Sequence, residues 1–244
     1  MNIVLCMAGL YSRFKEAGYT LPKYLLSLES NRTILEVVIK ELFKSNNPKN
    51  LLLVMNKRDE KYLEQVREIL GRIDSAVASE ILLIEDTMGQ AETAKIACEH
   101  LLKVNPSTQA GVLFHNIDTI IKNRKFSGLL TADANIDGLI DVFPSDSPSY
   151  SYVRVNTQGE ALEMKEKVVI SNHATSGAYY FSSLKDYLSF YSQIVWQKER
   201  YISEVYQAMI TAGKKIRTFP GSGEDTVILG TPLEYENYLA RKKL

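Results

Sequence analysis

Basic and acidic side chains balance at 29 each in 244 residues, leaving no net charge. No overall field therefore argues for nucleic acid or a membrane surface as partner. No apolar window approaches a membrane-spanning length, and the length suits one large α/β domain with a substantial core.

The first stretch, residues 3–7, is an apolar run with the character of a buried strand. It breaks into a loop, Ala8-Gly9-Leu10-Tyr11-Ser12, and delivers Arg13 just beyond, with Pro22 and Lys23 further on. A strand that ends in a loop of open backbone N–H groups, flanked by an Arg and a Lys, suits an anion. Two cations suggest more than one phosphate. Thr33 and Glu36 have the spacing of a capping box. Ile34, Val38 and Leu42, with Leu35, Ile39 and Phe43 beside them, form one apolar helix face, stopped at Asn46-Asn47-Pro48. Next come a strand over 51–55 and a helix over 59–70, with Leu63, Val66 and Leu70 inward and Gly71 closing it. A strand over 81–84, a helix over 91–102 and a strand over 112–114 follow. Apolar strands alternating with amphipathic helices predict a mostly parallel sheet covered on both faces, a three-layer α/β/α sandwich. Past residue 130 the pattern changes, with strands at 138–143, 151–155, 177–181 and 215–219 and helices at 184–194 and 201–212, the second closed by Gly213. These later strands are expected to run together near one sheet edge.

Cys6 and Cys98, in a strand and a helix pattern, have neither disulfide nor metal-ligand spacing and read as core residues of a reducing compartment. Nothing resembling a targeting segment precedes the first strand, so a cytoplasmic location is expected. Two phosphate-loop patterns are excluded. No Gly-rich stretch ends in Gly-Lys-Ser/Thr, and Gly9 lacks the remaining glycines of a dinucleotide fingerprint.

Further clusters carry chemistry. Met88-Gly89-Gln90-Ala91-Glu92 places a glycine and small residues at a helix start, either a site for close ligand approach or a plain helix terminus with Glu92 near its positive end. Phe114-His115-Asn116-Ile117-Asp118 is a polar cluster straight after a buried strand, at the sheet edge where α/β folds bind ligands. Asp118 is a hard-oxygen donor suited to Mg²⁺. His115 reads as a satisfied strand-end histidine, and Asn116 caps the turn or faces the ligand.

The segments AGLYSR and PKYLL resemble the nucleotide-binding signature of the sugar-phosphate nucleotidyltransferases, strand, then A-G-x-G-[ST]-R, then P-K. One position departs: Tyr11 stands where that family has its second Gly, so the loop either avoids a positive φ there or holds a strained one. The resemblance continues through GQAET, NID, EKVVISN…SGAYYF and the late Gly230-Thr231-Pro232, and is strongest to enzymes of bacterial capsule and surface-polysaccharide synthesis. It implies a sheet of the nucleotidyltransferase (glycosyltransferase-A-like) type, one domain over 1–244 with a nucleotide part at 1–130 and an acceptor part at 131–244. It implies Mg²⁺-dependent transfer of NMP from an NTP, with CTP preferred, to a phosphorylated sugar-like or amino-acid-derived acceptor. Arg13 and Lys23 would be the catalytic cations. Met7, Ala8, Gly9, Leu10, Tyr11, Ser12, Gly89, Gln90 and Asn116 would line the nucleotide, Glu166, Lys167 and Gly177 the acceptor, and Asp118 would hold Mg²⁺. The family's second metal-binding Asp is replaced by Ile228, so one carboxylate suffices or Asp225 or Glu166 stands in. The alternatives are a glycosyltransferase of the same fold class, for which no D-x-D pair is present, and a non-catalytic nucleotide-binding protein on a degenerate scaffold.

Overall fold

The computed structural model describes residues 1–28, 31–46, 48–73, 77–108, 110–133 and 135–242. In chain order the elements are β1 (Asn2–Met7), α1 (Ser12–Glu16), a 3₁₀ turn (Lys23–Leu25), α2 (Ile34–Ser45), β2 (Asn50–Asn56), a second 3₁₀ turn (Lys57–Tyr62), α3 (Leu63–Gly71), β3 (Ala78–Ile84) and α4 (Gln90–Val104). Then follow β4 (Val112–Asn116), β5 (Thr119–Ile121), α5 (Phe126–Ala132), β6 (Gly138–Pro144), β7 (Tyr152–Val155), β8 (Ala161–Lys165), β9 (His173–Phe181), α6 (Leu184–Gln193), α7 (Ile202–Thr211), β10 (Ile216–Pro220), β11 (Thr226–Ile228) and α8 (Pro232–Lys242).

The central sheet runs β10-β6-β9-β4-β1-β2-β3, with the β7–β8 hairpin set against β9. All neighbours pair in parallel except at β9, which is antiparallel to both β4 and β6. β1 shows how an apolar strand serves two cores, because successive side chains leave opposite faces. Ile3, Leu5 and Met7 join the cluster containing Val38, Ile39 and Val66 of α2 and α3. Val4 joins Ala94 and Cys98 of α4, Tyr187 of α6 and Tyr206 of α7 on the other face. This is a three-layer α/β/α sandwich around a mostly parallel sheet.

The strands expected in the second half do run together on one side of the sheet, where β10, β6 and β9 are consecutive and β7 pairs with β9. β9 lies between β4 and β6, and β10 alone of them forms the outer edge. The antiparallel β9 therefore brings Gly177, at its midpoint, to the same edge as the carboxyl end of β4, where His115 pairs with Ala178.

Local departures have physical causes. The segment expected to open a helix at 59 is a 3₁₀ turn, fixed by the Asn56 side chain accepting from the Arg58 N–H at 2.9 Å. Gly71 ends α3 without a left-handed φ, whereas Gly213 after α7 takes φ 75°. The capping box at Thr33 is half formed: Thr33 Oγ1 accepts from the Glu36 N–H at 3.2 Å, but the Glu36 carboxylate turns to Lys40 at 2.8 Å. α2 stops at Ser45, where Asn46 Nδ2 donates to the Leu42 carbonyl at 3.1 Å; Asn47 lies outside the described residues. Cys98 is buried and Cys6 half-buried, both free.

Candidate active site

The loops after β1, β2, β3 and β4 meet at one edge of the sheet. The loop after β1 keeps its backbone open: the N–H groups of Gly9, Leu10, Tyr11 and Ser12 make no hydrogen bond among the described residues. Tyr11 takes φ 40°, ψ 37°, the left-handed conformation that the usual glycine would supply. Its carbonyl accepts from the N–H groups of Phe14 and Lys15 at 3.1 and 3.2 Å. The Arg13 side chain is exposed and has no partner among the described residues.

Lys23, on its 3₁₀ turn, donates to Asp118 Oδ2 at 2.6 Å. Burial alone would raise the Asp118 carboxyl, but the charge and hydrogen bond of Lys23 outweigh it and hold the group below its ordinary value. Asp118 is thus an ionised carboxylate. Its carbonyl accepts from the Leu229 N–H at 2.7 Å, which draws the last ribbon, β5 paired with β11, up to the site.

The expected stand-ins for the missing second Asp make other contacts. Ile228 packs against the small apolar cluster of Phe143 and Tyr152. Asp225 lies at the far end of the β5–β11 ribbon, held by Asn123 and Ser222 at 3.1 Å each. Glu166 accepts from Ser203 at 2.8 Å and from Ser151. The carboxylate beside Asp118 is Glu234, in the first turn of α8. A Cβ built on Gly230 would stand 3.4 Å from Asp118 Oδ2 and 3.6 Å from Glu234 Oε2. Thr231 holds Glu234 at the start of α8, its hydroxyl donating to Oε2 at 2.8 Å and accepting from the Glu234 N–H at 3.2 Å. The T-x-x-E spacing of Thr231 and Glu234 was the signal in the sequence.

Gly89 sits where α4 begins, at φ 140°. A Cβ there would fall 2.5 Å from the Arg200 carbonyl. The Arg200 backbone clasps this loop, its N–H donating to Met88 O at 2.7 Å and its carbonyl accepting from the Ala91 N–H at 3.0 Å. The glycine is needed for this backbone approach, whatever ligand lies beyond. Gln90 Nε2 donates to Asn116 Oδ1, and the Asn116 amide fills the space left by Gly177 at φ 90°. Leu10 and Met88 leave more than half of their surface exposed on the loops after β1 and β3. His115 is fully buried, and its Nε2 donates to the Thr119 carbonyl at 2.8 Å. Burial lowers its pKa to about 4, so it is neutral, but its Nδ1 is buried without a partner among the described residues, so it is not the fully satisfied histidine that the sequence suggested.

On the other side of the edge, Lys167 takes φ 54° and donates to the Tyr201 hydroxyl at 2.7 Å while lying 4.5 Å over its ring. Glu166 and Lys167 thus come from the turn after β8, and Gly177 from β9. A cleft of about 530 Å³ lined by Met1, Lys49, Asn50 and Asn105 contains none of the candidate residues.

A family model described as nucleotidyl transferase matches residues 3–235. The chain belongs to the nucleotidyl transferase family. No curated protein matches it. Among solved structures it is similar to a nucleoside-diphosphate-sugar pyrophosphorylase from Vibrio cholerae RC9, with 27% identity, TM-score 0.87, and 98% of this chain and 99% of that one covered. It shares its fold with the inositol-1-phosphate CTP transferase from T. maritima, at 17% identity and TM-score 0.75, covering 99% of this chain and 95% of that one. It also shares it with UDP-glucose pyrophosphorylase from Acinetobacter baumanii, at 16% identity and TM-score 0.76, covering 98% and 92%. Among the described residues no helix is long and apolar enough to cross a membrane.

Proposed function

We propose that this nucleotidyl transferase moves NMP from an NTP to a small phosphorylated acceptor, sugar-like or amino-acid-derived, and releases pyrophosphate. One observation carries the reading: Lys23 and the ionised Asp118 are paired at 2.6 Å beside a loop of open N–H groups that ends in the unpartnered Arg13. Residues 1–130 supply the nucleotide part of a single domain and 131–244 the acceptor part, with Arg200 reaching back from the second to the loop of Gly89.

In this reading the acceptor phosphate attacks the α-phosphorus in line and no covalent enzyme intermediate forms. The ionised acceptor needs no general base. The chain's work is positioning and charge neutralisation. The N–H groups of Gly9, Leu10, Tyr11 and Ser12, with Met7 and Ala8 leading into them, cradle phosphate oxygens. Arg13 spreads its fork over the leaving pyrophosphate. Lys23, aimed by Asp118, meets the charge growing on the α-phosphate. Gly89, Gln90 and Asn116 line the base and ribose. Lys167 takes the acceptor phosphate, and Glu166 and Gly177 seat its body.

The donor set fits Mg²⁺, which keeps several waters and uses only one or two carboxylates. Asp118 would hold it, with Glu234 within reach across Gly230. The metal would neutralise triphosphate charge. CTP as donor and a place in capsule or surface-polysaccharide synthesis rest on the sequence resemblance, and the structural neighbours are described with both cytidine and uridine nucleotides. A cytoplasmic location accompanies this reading. The retained left-handed geometry at Tyr11 speaks against a degenerate scaffold.

The test is a thermal-shift panel of CTP, UTP, dTTP, ATP and GTP, each with and without Mg²⁺. A ligand at about a hundred times its Kd adds roughly 2.7 kcal/mol. One NTP should stabilise strongly, and more so with Mg²⁺. Stabilisation by an NDP-sugar and by no NTP would point to a glycosyltransferase instead.

A further inference from the structure

The side chain of Tyr11 is engaged in a way that a glycine replacement does not require. Its hydroxyl donates to Asp59 Oδ1 at 2.7 Å. The other carboxylate oxygen of Asp59 accepts from the Tyr24 hydroxyl at 3.1 Å. Asp59 is 1% exposed and sits on the 3₁₀ turn that follows β2. Tyr24 is likewise buried and directly follows Lys23. One carboxylate therefore ties together the end of β2, the open loop after β1 and the turn that carries Lys23. The same turn reaches the intervening segment, where Tyr62 donates to the Thr20 carbonyl at 3.4 Å, and Lys15 lies 4.4 Å over the Tyr11 ring.

We propose that Asp59 is a positioning residue that locks the phosphate loop and the Lys23 turn into one unit, with Tyr11 as the loop's anchor. The inference rests on the nucleotide reading above. A loop held open in advance loses less freedom when a triphosphate arrives. A glycine loop would be as able to reach φ 40° but would have nothing to hold it there. A charge-assisted hydrogen bond is strong enough to matter at about the tenfold level.

The test compares wild type, Tyr11→Phe and Tyr11→Gly by calorimetric titration with Mg²⁺ and each of CTP, UTP, dTTP, ATP and GTP, alongside the unfolding midpoint of the empty proteins. Tyr11 is half-buried at the surface, so both variants should fold. Both should bind the preferred NTP about 10-fold more weakly, although glycine relieves the left-handed conformation. A merely structural tyrosine predicts the reverse for Tyr11→Gly. Affinity equal to or better than wild type in Tyr11→Gly would overturn the anchor. Wild-type affinity in Tyr11→Phe would move the effect to the ring over Lys15 and overturn the role of Asp59. If wild type itself binds no NTP, the nucleotide reading fails, and the inference with it.

Discussion

Lys23 and Asp118 lie far apart in sequence, and their 2.6 Å contact turns two suggestive residues into a charged centre. Lys23→Ala should lower turnover by roughly 10²-fold or more, the scale of losing one preorganised charge donor; near-normal steady-state turnover would remove Lys23 from the chemistry. Gly89→Ala tests a backbone contact. Its Cβ would fall 2.5 Å from the Arg200 carbonyl at φ 140°, so unfolding should come earlier by about 1–3 kcal/mol, read by denaturant titration. At this scale the sequence carried the residues proposed to face the ligand, because loop glycines, cations and strand-end carboxylates have distinctive types and spacing. It did not carry their partners. Asp59 looked like a helix residue, and nothing local said that Tyr11 and Tyr24 would converge on it. The replacement at Tyr11 left two loop conformations open, and only the hydrogen bond to Asp59 shows what accompanies the strained one.

The elements that sequence reading found are those with enough residues to show a period. β1, β2, β4, α2 and α4 bury continuous or one-sided apolar sets. β5 and β11 have three residues each, too few for alternation to be seen, and α1 has five. Yet the β5–β11 ribbon sets the end of the site on Asp118. It is fixed by a buried ion pair: Arg124 Nε donates to Asp141 Oδ1 at 2.8 Å and Nη2 to Thr226 Oγ1 at 2.7 Å. Gly221 leaves the room, since a Cβ there would collide with the Arg124 guanidinium. Asp141→Ala leaves that guanidinium buried without its countercharge and should cost about 3–5 kcal/mol, whereas Arg124→Met combined with Asp141→Leu should recover much of it. Denaturant midpoints of the three proteins check this. A loss below about 1 kcal/mol for the single variant would mean that the pair does not hold the ribbon.

At the scale of the molecule, one sheet takes strands from both halves of the chain, with β9 reversed between β4 and β6. That arrangement brings Gly177 to Asn116, and chain order could not show it because pairing is set by contacts remote in sequence. It also buries His115 completely. Its folded-state pKa of about 4 lies below the ordinary 6.5, so below pH 6.5 the unfolded chain binds a proton that the folded one refuses. The stability tied to neutral His115 is complete above about pH 6.5 and falls as the pH drops toward 4, by about 3 kcal/mol over that window. The gap in unfolding free energy between wild type and His115→Gln should shift by that amount, to the disadvantage of wild type, between pH 7 and 4. Parallel pH profiles would show that the histidine titrates freely.

The claim at the centre is transfer to a phosphate with pyrophosphate as the leaving group. Pyrophosphate release from CTP, UTP, dTTP, ATP and GTP with Mg²⁺, against a panel of sugar and amino-acid-derived phosphates, tests it most directly. The account predicts release that requires both an NTP and a phosphorylated acceptor, matches the coupled nucleotide product mole for mole, and drops sharply in Lys23→Ala. Consumption of an NDP-sugar without pyrophosphate, or tight NTP binding with no release across the whole panel, would contradict it.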